Sequence, residues 1–385
     1  MGFDQAIPLS VYVHLPWCVR KCPYCDFNSF QNDGELPEHD YVDALLTDLE
    51  EELPRVWGRR IESVFIGGGT PSLFSAAAME RLLDGLRMRL PLRPDLEVTL
   101  EANPGTFEQA RFADYRSLGI NRLSIGIQSF DADMLKRLGR IHDGDEARRA
   151  ADIARRAGFD NLNLDLMFGL PGQNSAAARA DLDTALAFAP EHLSYYQLTL
   201  EPNTLFHANP PELPDDDLIA AMQQEAQERL DAAGYAQYEV SAYAQPGRRC
   251  RHNLNYWTFG DYLGLGAGAH GKLTHPTDGS IVRRWKLRQP AQYMAGVKVG
   301  KAWGGENRIE ADARVFEFML NALRLRDGFD IALFEARTGL PREHLAAGIE
   351  QAVARELLEA EGEQLRPSPL GWRFLNDLIE TFLPE

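Results

Sequence analysis

Ile61-Glu-Ser-Val-Phe-Ile-Gly-Gly-Gly-Thr-Pro71, with the helical spacing of residues 79–90 behind it, is one unit of a pattern that recurs along the first two thirds of the chain. Residues 61–66 have the apolar density of a buried strand, and the glycines end it before a helix that carries the chain back to the same end. Towards the N-terminus, residues 10–15 read as a strand and 38–53 as a helix through Tyr41, Leu45, Leu46 and Leu49. Towards the C-terminus, a strand at 96–100 precedes a helix near 107–118. A strand at 122–127 precedes helical stretches near 131–138 and 144–157, one at 162–168 a helix over 175–188, and one at 193–200 a long acidic helix near 215–233. Six β–α units in series imply a parallel sheet. Six are too few to close an eight-unit barrel, so the expected fold is α/β, an open, partial (β/α)6 TIM-like barrel. A doubly wound dinucleotide fold fits less well, because Gly67-Gly68-Gly69-Thr70-Pro71 does not match G-x-G-x-x-G.

Beyond about residue 250 the aromatic and glycine-rich segments, Tyr256-Trp257 and Gly264-Leu-Gly-Ala-Gly-Ala-His-Gly271, predict a loop-rich elaboration over 251–305. From 306 to 385 the spacing predicts helices near 312–325, 330–338, 342–358 and 371–383, a small C-terminal helical or winged-helix-like domain. Residues 1–250 are then the partial barrel.

The chain has 385 residues, 44% hydrophobic, enough for a large core, and a net charge of −17 that opposes binding to nucleic acid or anionic lipid. The last 80 residues hold 16 acidic and 9 basic side chains and no Lys, so a winged domain here does not read as a DNA reader. No apolar run reaches the roughly 18–20 residues of a membrane span, and no signal pattern opens the chain, which points to the cytoplasm.

Of the four cysteines, Cys18, Cys22 and Cys25 fall within eight residues and Cys250 stands apart, a distribution that suits metal-binding thiolates rather than a disulfide scaffold. Cys18-x3-Cys22-x2-Cys25 lies directly after the first strand. Three thiolates on one loop match three irons of a [4Fe–4S] cube and leave the fourth iron open. The alternative is a zinc ion completed by His14 or Asp26.

The stretch Tyr12-Val-His-Leu-Pro-Trp-Cys-Val-Arg-Lys-Cys-Pro-Tyr-Cys25 resembles the cluster loop of radical S-adenosylmethionine (SAM) proteins, in the branch that holds oxygen-independent coproporphyrinogen III oxidase and its heme-chaperone relatives. The resemblance extends over nearly the whole chain. It implies that the three cysteines hold a [4Fe–4S] cluster whose open iron is chelated by the amino and carboxylate groups of SAM. It also assigns SAM contacts to Tyr12, to Gly68, Gly69 and Thr70, to Glu101 in Leu-Glu-Ala-Asn-Pro104 and to Gln128 in Gly-Ile-Gln-Ser-Phe130. Arg140 in Leu-Gly-Arg-Ile-His142 and Asp165 in Leu-Asp-Leu-Met-Phe168 complete the set. Independently of the resemblance, most of these residues fall at the carboxyl ends of successive strands, where a parallel barrel builds its site. Taken singly, an Arg or an Asp also reads as a structural salt bridge, and the glycines as a plain turn.

Two departures separate the chain from the oxidases. Their pattern ends C-x2-C-x-C, whereas Phe27 stands where the further thiol would be, and only 17 residues precede Cys18 where the oxidases carry a longer leading segment. His252-Asn-Leu-Asn-Tyr-Trp257 instead fits the H-N-x-x-Y-W motif of the chaperone branch, which implies that His252 binds heme, with Tyr256 and Trp257 against the macrocycle and Arg249 or Arg251 near its propionates. The competing reading is that His252 and Asn253 cap a loop. Cys250 reads as a bystander thiol. The implied function is a heme chaperone that passes heme to an acceptor protein; the alternative is oxidative decarboxylation of coproporphyrinogen III, which also needs an electron donor. Whether the chain is an enzyme stays open at this point.

Overall fold

Leu9, Val11, Val13 and Leu15 are fully buried on one face of a strand, and Ser10 and His14 are buried on the other, as expected of a strand covered on two faces. The structure, a computed structural model, describes residues 3, 6–32, 34–105, 109–275 and 277–384. That first strand, β1 (Leu9–Leu15), lies inside a twelve-stranded sheet. A two-stranded ribbon, β2 (Trp17–Cys18) with β3 (Phe30–Gln31), leaves its end. The parallel strands β4 (Ile61–Gly68), β5 (Leu92–Ala102), β6 (Arg122–Gln128), β7 (Leu162–Phe168) and β8 (His192–Gln197) then follow in sequence order. The antiparallel strands β9 (Ala236–Gln237) and β10 (Ala242–Ala244) close that edge.

The intervening helices begin where the sequence supplies caps. Asp143 forms a capping box with Glu146 ahead of Gly144–Arg156, and Asn174 and Asp215 cap Ser175–Ala187 and Asp216–Ala232. Residues 106–108, including the expected start of the 107–118 helix, lie outside the described residues; the helix found there is Phe112–Ser117.

The expectation of a loop-rich segment after residue 250 is corrected. Arg251–Trp257 is a helix, and β11 (Asp261–Leu265) pairs parallel with β1, so the parallel part of the sheet gains a strand on the side opposite β8. The antiparallel strands β12 (His270–His275), β13 (Ser280–Lys286) and β14 (Trp303–Ile309) continue from it. β14 and β9 are the two free edges, so the sheet stays open.

Two C-terminal expectations also change. The 342–358 helix is a 3-10 turn, Arg342–Leu345, and a helix, Ala346–Ala354; the chain then enters a hairpin of β16 (Leu358–Glu361) and β17 (Gln364–Pro367). β15 (Phe329–Asp330) adds to β17, and the 371–383 helix is two short ones, Pro369–Arg373 and Leu375–Glu380. Phe318, Phe334 and Leu378 centre the apolar core of this region, which also takes in Phe259 and Ile281 from the main sheet side. Among the described residues no helix is long and apolar enough to cross a membrane.

Candidate functional site

The three-cysteine loop is stapled at its base and at its flank. Pairing of β2 with β3 brings its two ends together, the Cys25 amide donates to the Cys22 carbonyl at 3.2 Å, and Lys21 Nζ donates to the carbonyls of Phe27 and Ser29 at 3.0 and 3.2 Å. Asn28 Nδ2 reaches across to the carbonyls of Ala267 and Arg288 at 3.0 and 2.9 Å, tying the loop to the turn after β11.

The glycines at the end of β4 are required by how close this loop lies. Gly68 has φ 121°, and a Cβ there would sit 2.7 Å from the His14 ring; a Cβ on Gly69 would sit 2.5 Å from the Trp17 carbonyl. In that contact the amides of Gly69 and Thr70 donate to the Leu15 and Trp17 carbonyls at 2.8 and 2.7 Å.

Cys18, Cys22 and Cys25 line one cavity of about 450 Å³ together with Gly68, Gly69, Thr70, Glu101, Gln128, Arg140 and Asp165. They come from the cysteine loop, the turn after β4, the strands β5, β6 and β7 and the turn that holds Arg140, which is how a parallel barrel assembles one site from distant residues. Arg140 Nη2 donates to Asn103 Oδ1 at 2.6 Å and to the Gly126 carbonyl at 2.8 Å, its Nη1 lies 3.6 Å from Cys22 Sγ, and its buried Nε has no partner. Glu101 Oε2 accepts the Gly68 amide at 3.1 Å; burial, then the nearby Asp165, lifts its carboxyl to about 8. Asp165 accepts from Asn163 Nδ2 at 2.7 Å and Ser124 Oγ at 3.1 Å, and burial raises it too. Gln128 sits in the left-handed region at φ 67°, a strained place for a side-chain-bearing residue, and accepts the Tyr196 hydroxyl at 2.7 Å. Burial also pushes the Cys18 and Cys25 thiols up.

Tyr12 does not line this cavity. It faces a second one, of about 760 Å³, with His14, Phe27, Tyr256, Tyr262, Trp285 and His270. Gly68 and Glu101 line both, so the two spaces adjoin. His252 lines neither. It is 2% exposed, its Nδ1 meets Ser63 Oγ at 3.1 Å, its Nε2 is buried without a partner, and its ring packs 4.9 Å from Phe65 and 4.9 Å from Tyr256. Burial, with Arg122 nearby, lowers its pKa to about 3, so the ring is neutral.

The rest of the motif spreads apart. Trp257 lies under the Arg324 guanidinium, 4.5 Å from its centre. The propionate partners expected from the sequence are otherwise engaged: Arg249 pairs with Asp327 at 2.7 Å and Arg251 with Asp95 at 3.0 Å. Cys250 is fully buried 3.6 Å from Glu97 Oε1, and burial pushes its thiol up to about 12.

His14 is committed, with Nδ1 on the Tyr12 hydroxyl and Nε2 on the Asn28 carbonyl, both at 2.9 Å, so it is not the fourth ligand that a zinc reading needs. Among the described residues no three His, Cys, Asp or Glu side chains converge on a single-ion site. The three thiols that line one cavity have the donor chemistry for a cube, in which each sulfur holds a different iron. Sequence reasoning missed Asn103, Ser124, Ser194 and Tyr196, all lining the cysteine cavity. Asn103, just past the carboxyl end of β5, and Tyr196, near that of β8, carry the signal that would have found them; Ser124 and Ser194 lie earlier in β6 and β8 and carry none.

Residues 12–185 match the Radical SAM superfamily and 309–374 the HemN C-terminal domain. The chain is 50% identical to the heme chaperone HemW of Escherichia coli (strain K12), over 98% of this chain and 99% of that protein. It is 36% identical to the heme chaperone HemW of Mycobacterium tuberculosis (strain ATCC 25618 / H37Rv), over 98% and 95%. Against the mouse protein named radical S-adenosyl methionine domain-containing protein 1, mitochondrial, identity is 35% over 98% and 87%. Coproporphyrinogen III oxidase (HemN) from Escherichia coli, a radical SAM enzyme, superposes with a TM-score of 0.83 at 23% identity, covering 98% of this chain and 90% of that one, a likeness of fold.

Proposed function

The chain belongs to the HemW heme-chaperone family of the radical SAM superfamily, and from that premise we propose that it carries heme as cargo and hands it to an acceptor apoprotein, with a resident [4Fe–4S] cluster and SAM controlling the exchange. The observation that carries the reading is the junction of a cysteine-lined cavity with a larger aromatic one at Gly68 and Glu101.

Cys18, Cys22 and Cys25 would hold three irons of the cluster, and the buried Arg140 guanidinium beside Cys22 would offset the negative charge that thiolates and sulfides bring. When bound, the cluster would supply an electron to SAM. The chain's own residues do the binding and orienting. The Gly68-Gly69-Thr70 turn would take the methionyl part of SAM, with Glu101 next to its amino group; Gln128, Arg140 and Asp165 would fix the rest through charge and hydrogen bonds. Tyr12, with its hydroxyl on His14, would stand between SAM and the cargo. The macrocycle would lie among Tyr256, Tyr262 and Trp285, whose faces suit a flat aromatic ligand. His252 would act on heme from behind Tyr256. A cytoplasmic setting, where thiols stay reduced, goes with this reading. Phe27, 58% exposed, occupies the position at which the oxidases have a further thiol, so no second reading is favoured.

The full chain, reconstituted without oxygen, is titrated with heme and mixed with an apo-hemoprotein. The expected result is a Soret band that moves to the acceptor, with no multiple turnover of coproporphyrinogen III in the presence of SAM and reductant. Rapid turnover of that substrate would overturn the chaperone reading.

A further inference from the structure

Three imidazoles stand near the aromatic cavity, and they differ in what their nitrogens are free to do. His14 spends both on hydrogen bonds. His252 is sealed behind Tyr256, Phe65 and Tyr12 and is absent from the cavity wall. His270 is exposed, lines the cavity, and among the described residues has neither ring nitrogen in a hydrogen bond. It opens β12 opposite Trp285 on β13, and that register sets the two rings side by side, 6.1 Å apart and 23° from parallel.

Arg288 lines the same cavity, and among the described residues no carboxylate pairs with it. Its Nε donates to Asn28 Oδ1 at 3.4 Å; Asn28 Nδ2 in turn donates to the Arg288 carbonyl at 2.9 Å. The cavity thus offers one accessible nitrogen donor, aromatic faces and one guanidinium with no carboxylate partner among the described residues, in a volume of about 760 Å³ within the range of ligand pockets. These are the groups that an iron porphyrin with two propionates calls for.

We propose that His270, not the buried His252, supplies the nitrogen that meets the heme iron, and that Arg288 takes a propionate. The proposal rests on the heme-carrying reading above. His252 is then a positioning residue: held by Ser63, it braces Tyr256 and Tyr12 from the far side of the cavity wall. To reach iron itself, its Nε2 would have to displace the rings that cover it.

The test is a titration of ferric heme into the anaerobically reconstituted full chain, read by absorption and electron paramagnetic resonance, on the wild type, His270→Ala, His252→Ala and Arg288→Gln. The wild type is expected to give a nitrogen-ligated spectrum. His270→Ala, a change at an exposed position, is expected to lose that spectrum and weaken binding by about tenfold or more, and added imidazole to restore the spectrum. Arg288→Gln is expected to weaken heme binding while leaving the affinity for the dimethyl ester of the same porphyrin as in the wild type. His252→Ala is expected to keep the nitrogen-ligated spectrum even where its affinity falls. Retention of that spectrum in His270→Ala together with its loss in His252→Ala overturns the proposal and leaves the heme reading standing. A wild type that binds no heme overturns both.

Discussion

Glu101 sits at the junction of the two cavities, and its proton sets the charge there. Burial and the neighbouring Asp165 lift its carboxyl to about 8, so at pH 7 it is protonated. A cationic ligand arriving beside it favours the carboxylate and expels that proton. The affinity of the reconstituted protein for SAM is therefore expected to rise by up to about fivefold between pH 7 and pH 8 and by about twofold more towards pH 9, where it levels off, relative to Glu101→Gln, in which this component is absent. Calorimetry in buffers of different ionisation enthalpy checks it, and parallel pH profiles for the two proteins would refute it. At this scale the sequence was informative where a residue stands at a strand end and silent about what covers it. Glu101 and Gln128 could be picked out in that way. The burial of His252 could not, because Ser63 and Phe65, the residues that receive it, lie on β4, 189 and 187 positions earlier.

The turn after β6 shows how an element holds a site. Asp181, on the helix Ser175–Ala187, accepts from Ser129 Oγ at 2.6 Å and from the Phe130 amide at 2.7 Å, clamping the chain just past the left-handed Gln128. Burial raises this carboxyl to about 6. A group raised in the folded state contributes stability that is present below its unfolded pKa of about 4 and lost as pH climbs through about 6. That loss is about 2–3 kcal/mol for a shift of this size. Asp181→Asn keeps an acceptor for the Phe130 amide and carries no charge, so its stability is expected to stay level between pH 4 and 7 where the wild type's falls. Urea unfolding across that range measures it, and equal slopes would contradict the assignment. β11 was the element that the sequence concealed. Gly264 and its glycine neighbours look like loop, yet a Cβ at Gly264 would lie 2.0 Å from the His270 carbonyl, so the glycine there permits strand crowding and is not a mark of irregularity.

Across the whole molecule, buried ion clusters bind the late strands to the early ones. Lys286 on β13 contacts Asp48 and Glu52 of the helix Glu38–Val56 at 2.5 and 2.8 Å, under the Trp303 ring, and Tyr293 donates to Asp48 at 2.7 Å. Asp261 on β11 takes Lys272 and Arg59, each at 2.9 Å. Such pairs contribute little net stability after desolvation, but breaking one leaves a buried charge, so they fix the register of the strands they join. The aromatic cavity, walled by residues from 12 to 288, depends on that register. The repeating β–α units and the cysteine spacing were readable because each is local; the joining of 261–309 to the barrel was not, because its partners are more than 200 residues away.

Whether three thiols hold a cluster with a corner open to SAM is read by electron paramagnetic resonance of the reduced, anaerobically reconstituted protein, with and without SAM. The signal of a reduced [4Fe–4S] cluster is expected, its shape changing when SAM is added, and it is expected to be absent when Cys18, Cys22 and Cys25 are replaced by Ala. A protein with no such signal, or one whose signal is the same with and without SAM, would contradict the account.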